Sequence, residues 1–166
     1  MPWYFAYGSN MNPARVAARI GATRRVMAGV LHDYSLRFDK ASKVAGIAHA
    51  NVAAVVGERV EGALFELERP EQIQMMDPFE GYPDDYQRHR LAVSTREGDI
   101  EAWVYIATPG TTATALRPAR EYLDHLLAGE PYLSRAYHAR LAGVEAVSGL
   151  EEVALTALGL SRLTPR

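Results

Sequence analysis

The stretch WYFAYGSNMNPARVAARI, residues 3 to 20, restricts what this chain can fold into more than any other. Trp3 to Tyr7 is aromatic or apolar throughout and stops at a glycine, which predicts a strand. Gly8, Ser9 and Asn10 do not extend a strand easily. Asn12 followed by Pro13 reads as an N-cap with proline at the first helical position, so a helix is expected through about Ile20. A strand that turns tightly into a helix start leaves several backbone N–H groups pointing one way, with the positive helix end behind them. That geometry suits a carboxylate, phosphate or carbonyl oxygen.

Downstream, Arg25 to Leu31 and Asp33 to Phe38 read as two short strands around a His32-Asp33 corner. Gly46 to Val56 and Val60 to Leu67 read as two more, separated by Gly57 and Glu58. Gly62 lies inside the second of these, which suggests a bulge or a close backbone approach. Arg69-Pro70 opens a helix expected to run to Asp77 and to stop at Pro78. The turn-rich, aromatic loop PFEGYPDDY follows. Gln87 to Thr95 and Ile100 to Ala107 form a hairpin about Glu97-Gly98-Asp99. Pro109 to Thr114 is a linker. Arg117 to Leu127 has helical spacing with Gly129 as its C-cap, Ser134 caps a helix through Leu141, and Glu151 to Leu158 forms a last short helix.

Strands early and helices late predict an α+β fold whose strands make a strongly curved or closed sheet. A length of 166 residues predicts one domain over 1–166 with a substantial core. With 18 basic and 20 acidic residues there is no electrostatic footprint for nucleic acid or an anionic membrane. Arg15, Arg19, Arg24 and Arg25 gather locally and are expected to form a solvated face, although an acidic small molecule near the first loop would feel them. The absence of cysteine excludes disulfides and thiolate chemistry, and no apolar run is long enough to span a bilayer. A cytoplasmic location is expected.

Glu80 is the carboxylate with the best claim to chemistry. It lies between Phe79 and Gly81-Tyr82, just beyond an expected helix end, where an apolar setting would raise its pKa toward neutrality. Asp77, Asp84 and Asp85 lie nearby and are expected to face water. Tyr86 follows Glu80 by six residues in the same loop. The five histidines show no ligand spacing, so no metal site is expected. Ser9 lacks the Gly-x-Ser-x-Gly elbow of a serine nucleophile, and no phosphate-binding Gly-Lys-Ser/Thr motif is present.

Taken together, YFAYGSNM (4–11), LHDYSLRF (31–38), GIAHANV (46–52), VEGALFEL (60–67), MDPFEGYPDDY (76–86) and WVYIATP (103–109), with RPAREYLDHLLAG (117–129) and PYLSRAYHARL (131–141), resemble the γ-glutamylcyclotransferase family of the AIG2-like superfamily. The resemblance implies a barrel-like mixed sheet with flanking helices. It implies that Tyr7, Gly8, Ser9 and Asn10 line a substrate cavity, that Glu80 is the acid/base, and that Tyr86, Tyr105 and Tyr122 are cavity tyrosines. The implied partner is a small γ-glutamyl substrate, cyclised to 5-oxoproline without a cofactor. Between Gly81 and Tyr86 the chain carries Tyr-Pro-Asp-Asp, stiffer and more acidic than the glycine-containing segment of the animal enzymes, which bears on the leaving-group side. A sister transferase acting on a γ-glutamyl amine or a larger γ-glutamylated molecule, and a non-catalytic binding module of the same fold, are the alternatives.

Overall fold

All four residues of the first strand, β1 (Trp3–Ala6), are buried, as the unbroken aromatic and apolar run requires of a strand with protein on both faces. In the computed structural model, which describes residues 2–161, β1 is followed by a single 3₁₀ turn at Ser9–Met11 and by α1 (Pro13–Ile20). Then come β2 (Arg25–Ala41), β3 (Ile47–Glu66), α2 (Gln72–Glu80), β4 (Tyr86–Thr95), β5 (Gly98–Ala107), β6 (Arg117–Pro118), α3 (Arg120–Leu127), α4 (Arg135–Ala142) and α5 (Glu152–Ala157).

The strands run in the order β1-β5-β4-β2-β3-β6, and β1 also pairs with β3, which closes five of them into a mixed barrel flanked by helices. β1 is antiparallel to β3 from Trp3↔Glu66 to Ala6↔Ala63 and parallel to β5 through Tyr4↔Trp103. Phe5, Leu64, Val60, Val93 and Val104 are fully buried inside.

The N-cap reading of Asn12 holds. Its side chain accepts a hydrogen bond from the Ala14 N–H, with Pro13 at the first helical position. The hairpin also holds, with Thr95 paired to Gly98 so that its turn falls at Arg96-Glu97, one residue early. Ser134 caps α4 as expected, accepting from the Tyr137 N–H.

Four readings are corrected. The two short strands after α1 are one continuous strand, as are the two flanking Gly57-Glu58. Both expected breaks fall at one irregularity of the β2–β3 ladder, between His32 and Tyr34 on β2 and between Ala54 and Arg59 on β3, and a second irregularity lies between Arg37 and Lys40. At the first, Asp33 takes a positive φ of 64° and its carboxylate accepts the Gly57 N–H at 2.9 Å, so the bulge is tied locally and the strands continue. Second, Pro78 does not stop α2 but lies inside it. Proline here removes only the bond to the Gln74 carbonyl, on an exposed residue. The helix ends instead at Gly81, which is left-handed (φ 62°) and donates its N–H to the Pro78 carbonyl while Tyr82 N–H bonds the Asp77 carbonyl. Third, Arg117-Pro118 is strand paired with Ile47-Ala48, which delays α3 to Arg120. Fourth, Gly129 is not a left-handed cap (φ −80°); a Cβ there would come within 2.8 Å of Met11 Cβ.

Gly62 is a site of close approach, as expected. A Cβ would press into the Ala6 carbonyl and come within 2.8 Å of the Phe5 ring. Gly62→Ala should therefore cost about 3 kcal/mol and lower Tm by roughly 6–12 °C in calorimetry. An unchanged Tm would show that β1 and β3 can part there without penalty.

Candidate active site

A cavity of about 440 Å³ opens where β1 ends, and the turn Tyr7 to Asn10 forms one of its walls. Glu80, Tyr86, Tyr105 and Tyr122 all line it, so every site residue expected from the sequence meets in one place.

Glu80 is the last residue of α2 rather than part of a loop, and Tyr86 begins β4. The helix end therefore aims the carboxylate. Asn10 holds it from across the cavity, its Nδ2 lying 3.2 Å from Glu80 Oε1 and 2.9 Å from the Tyr4 hydroxyl, with Met76 Sδ at 3.4 Å. Glu80 remains partly open to solvent. Burial nevertheless raises its pKa above the ordinary carboxylate value; Arg19 and Arg15 oppose the rise and Asp77 adds to it.

The tyrosine hydroxyls are committed differently. Tyr7 donates to the Tyr105 carbonyl at 2.5 Å and Tyr86 to the Ala50 carbonyl at 2.6 Å. Tyr122 instead accepts the Ala50 N–H at 2.9 Å, which leaves its own proton to donate, and burial pushes its pKa up to about 12. Two residues of β2, Phe38 and Asp39, face Ala50 alone in the ladder, between Arg37↔Asn51 and Lys40↔His49. The bulge leaves Ala50's backbone groups to the two tyrosines. Gly8 permits this, since a Cβ there would sit 2.9 Å from the Tyr122 oxygen. Tyr105 presents its ring to the cavity while its hydroxyl donates to Asp77 at 2.6 Å.

Around the turn, the N–H groups of Met11, Asn12 and Ala14 are consumed within the turn and the cap. Positive charge at this wall comes instead from side chains. Arg15, expected on a solvated face, is buried, donating from Nε to Ser9 Oγ at 3.2 Å and from Nη1 to the Gly159 carbonyl at 3.0 Å. Arg19 reaches Asn10 Oδ1 at 3.4 Å and lies over the Phe79 ring. Only Arg24 and Arg25 of that cluster are exposed. Ser9 Oγ is thus occupied by a guanidinium rather than activated by a base.

Sequence reading missed Arg15, Arg19, Lys40 and His49 as cavity residues. The first two stand four residues apart on the helix leaving the turn, so they share a face, and that spacing was the available signal. Lys40 and His49 meet only through the β2–β3 register. Lys40 is buried and pairs with Asp85 at 3.1 Å. His49 is driven down to about 4 by burial and by Lys40 and Arg15, so it is neutral at physiological pH. Of the carboxylates expected to face water, Asp84 and Asp85 are exposed, but Asp77 is largely enclosed against Arg88. Among the described residues no group of three or more acidic or histidine side chains could hold a metal ion, and no helix is long and apolar enough to cross a membrane.

The family model described as gamma-glutamyl cyclotransferase, AIG2-like, matches residues 4–132, which takes in the turn, Glu80 and the cavity tyrosines. The chain belongs to this family. Among solved structures, one titled gamma-glutamyl cyclotransferase has 21% identity and a TM-score of 0.77 over 95% of this chain and 98% of its own. An uncharacterised human protein gives 23%, 0.76, 95% and 97%. A yeast gamma-glutamyl cyclotransferase described as specific to glutathione gives 11%, 0.62, 86% and 94%. These likenesses establish the barrel. No curated protein sequence matches the chain.

The raised pKa of Glu80 has a stability consequence. A carboxyl whose folded pKa exceeds its unfolded value destabilises the fold when ionised, and that penalty disappears below the unfolded pKa. Glu80→Gln keeps an oxygen for Asn10 and removes the charge. Its Tm should exceed wild type near pH 7.5, and the gap should close near pH 4. A Tm gain independent of pH would contradict this.

Proposed function

We propose that the protein is a γ-glutamyl cyclotransferase that closes a γ-glutamyl amide onto its own α-amine, releasing 5-oxoproline and an amine or amino acid. The observation that carries this reading is Glu80: a carboxylate of raised pKa at a helix end, facing the cavity wall of Tyr7 to Asn10 and held by Asn10. Family membership supports it.

The cavity wall has four cations, Arg15, Arg19, Lys40 and Lys43, against two carboxylates, Glu80 and Asp85. That balance favours the carboxylate of a glutamyl group. The substrate brings nucleophile and electrophile together itself, so the protein has to fold it into a ring-closing conformer and move protons. Ionised Glu80 accepts a proton from the α-nitrogen as that nitrogen attacks the γ-carbonyl carbon. The oxygen of the tetrahedral intermediate takes a hydrogen bond from the Tyr122 hydroxyl, whose proton is uncommitted. Glu80 then returns its proton to the departing nitrogen as the C–N bond breaks. The substrate α-ammonium gives up two protons and the leaving group gains two in becoming an ammonium, so no net proton is consumed. Neutral His49 does not compete for the role of acid.

Incubation with a panel of γ-glutamyl amino acids and γ-glutamyl amines should yield 5-oxoproline, and Glu80→Gln should reduce kcat at least about 100-fold. Because Glu80 acts first as a base, kcat/KM should fall on acidification with a midpoint above the ordinary carboxylate range. Full turnover by folded Glu80→Gln would remove Glu80 from the mechanism. Binding of 5-oxoproline with no turnover across the panel would favour the non-catalytic reading.

A further inference from the structure

Asp77 stands one helical turn before Glu80 but does not line the cavity. Arg88 of β4 grips its carboxylate with a two-pronged contact, Nε to Oδ1 at 2.8 Å and Nη2 to Oδ2 at 3.1 Å. From β5, the Tyr105 hydroxyl donates to Oδ1 at 2.6 Å. The Arg88 guanidinium is stacked between Tyr82 (4.8 Å) and Trp103 (4.5 Å), and both partners of the ion pair keep only 14% of their side-chain exposure. Exposed pairs contribute little, whereas an enclosed, bidentate and stacked one fixes both of its partners. The backbone of Asp77 serves the same end of the helix, its carbonyl taking the Tyr82 N–H that closes the last turn.

We propose that the Asp77–Arg88 pair is a positioning device for Glu80, pinning the last turn of α2 to the β4–β5 hairpin and holding the Asp77 carboxylate behind that of Glu80. The functional value of this device rests on the proposed role of Glu80.

Helix ends fray, and Glu80 is at one. Three tethers hold this end: the Gly81 cap, Asn10 on the cavity side and Arg88 on the far side. The charges and hydroxyls acting on Glu80 come from every neighbouring element. Arg15 and Arg19 of α1 favour its ionised form, while Asp77 of its own helix opposes it. Tyr4 and Tyr7 from β1 and its turn, Tyr86 and Tyr105 from the hairpin and Tyr122 from α3 face it as neutral phenols. Asp77 thus counters part of the pull of the two arginines. Arg88, its own pKa raised chiefly by its hydrogen bonds to Asp77, stays charged and keeps that carboxylate in place.

The test reads Glu80 directly, by ¹³C-carboxyl NMR titration with the resonance assigned through Glu80→Gln. Asp77→Asn preserves the shape and removes the charge, and the Glu80 midpoint should fall by about one pH unit. The double variant Asp77→Asn/Arg88→Gln leaves no orphaned guanidinium and serves if the single variant is unstable; its midpoint should fall as well. A midpoint that is unmoved or raised in a folded variant overturns the proposal. In the turnover assay the acid limb of kcat/KM should move with the NMR midpoint, with KM within about twofold and kcat reduced about three- to tenfold as the base weakens. The titration needs no substrate. A protein without cyclotransferase activity would lose the reading of Glu80 as acid/base while the effect of Asp77 on it could still be measured.

Discussion

Ala6 and Ala63 face each other across the antiparallel ladder of β1 and β3, and one residue later the chain leaves the sheet at Tyr7. That ladder closes the barrel, and the rest of the site depends on it. With β1 held on one side by β3 and on the other by β5, the Tyr7–Asn10 turn has a fixed origin. The Tyr7 hydroxyl reaches back to the Tyr105 carbonyl on β5, and Asn10 reaches forward to Glu80. Gly62 lets Phe5 and the Ala6 carbonyl approach closely enough for the closure to form.

Local chemistry was legible from the residues themselves. The Asn12-Pro13 helix start, the hairpin and the Ser134 cap follow from proline's missing donor, from turn residues and from side-chain oxygens near free N–H groups. The errors arise where a local breaker is compensated. Gly57 and Asp33 carry strong breaker signals, yet the ladder continues because cross-strand pairing satisfies what they disrupt, and at Pro78 the helix continues because the carbonyl left without a donor is on exposed Gln74. The Asp33–Gly57 bond shows this most directly. Glu80 and the tyrosines were placed as site residues by their motif context. Lys40 and His49 were not, because their meeting depends on a register that includes a bulge, and no local pattern encodes that.

The electrostatics of the cavity are a contest between burial and charge. Enclosure favours a neutral Glu80, two arginines on α1 favour the carboxylate, and Asp77 offsets part of their pull. The acid/base role proposed for Glu80 would draw on both forms of the group. The same surroundings strip His49 of its charge. Burial thus drives the pKa of the carboxylic acid up and that of the imidazole down, whereas the surrounding cations lower both.

The bulge at Ala50 has a mechanical consequence. Tyr122 from α3 and Tyr86 from β4 both terminate on the backbone of that one residue, through its N–H and its carbonyl respectively. Phenol rings have fixed length and few rotatable bonds, so each acts as a rigid strut between its own element and β3. The span of the pocket is therefore gauged from the backbone of a single residue. A ligand entering it meets walls already set at their working separation, and the entropy of arranging them has been spent during folding.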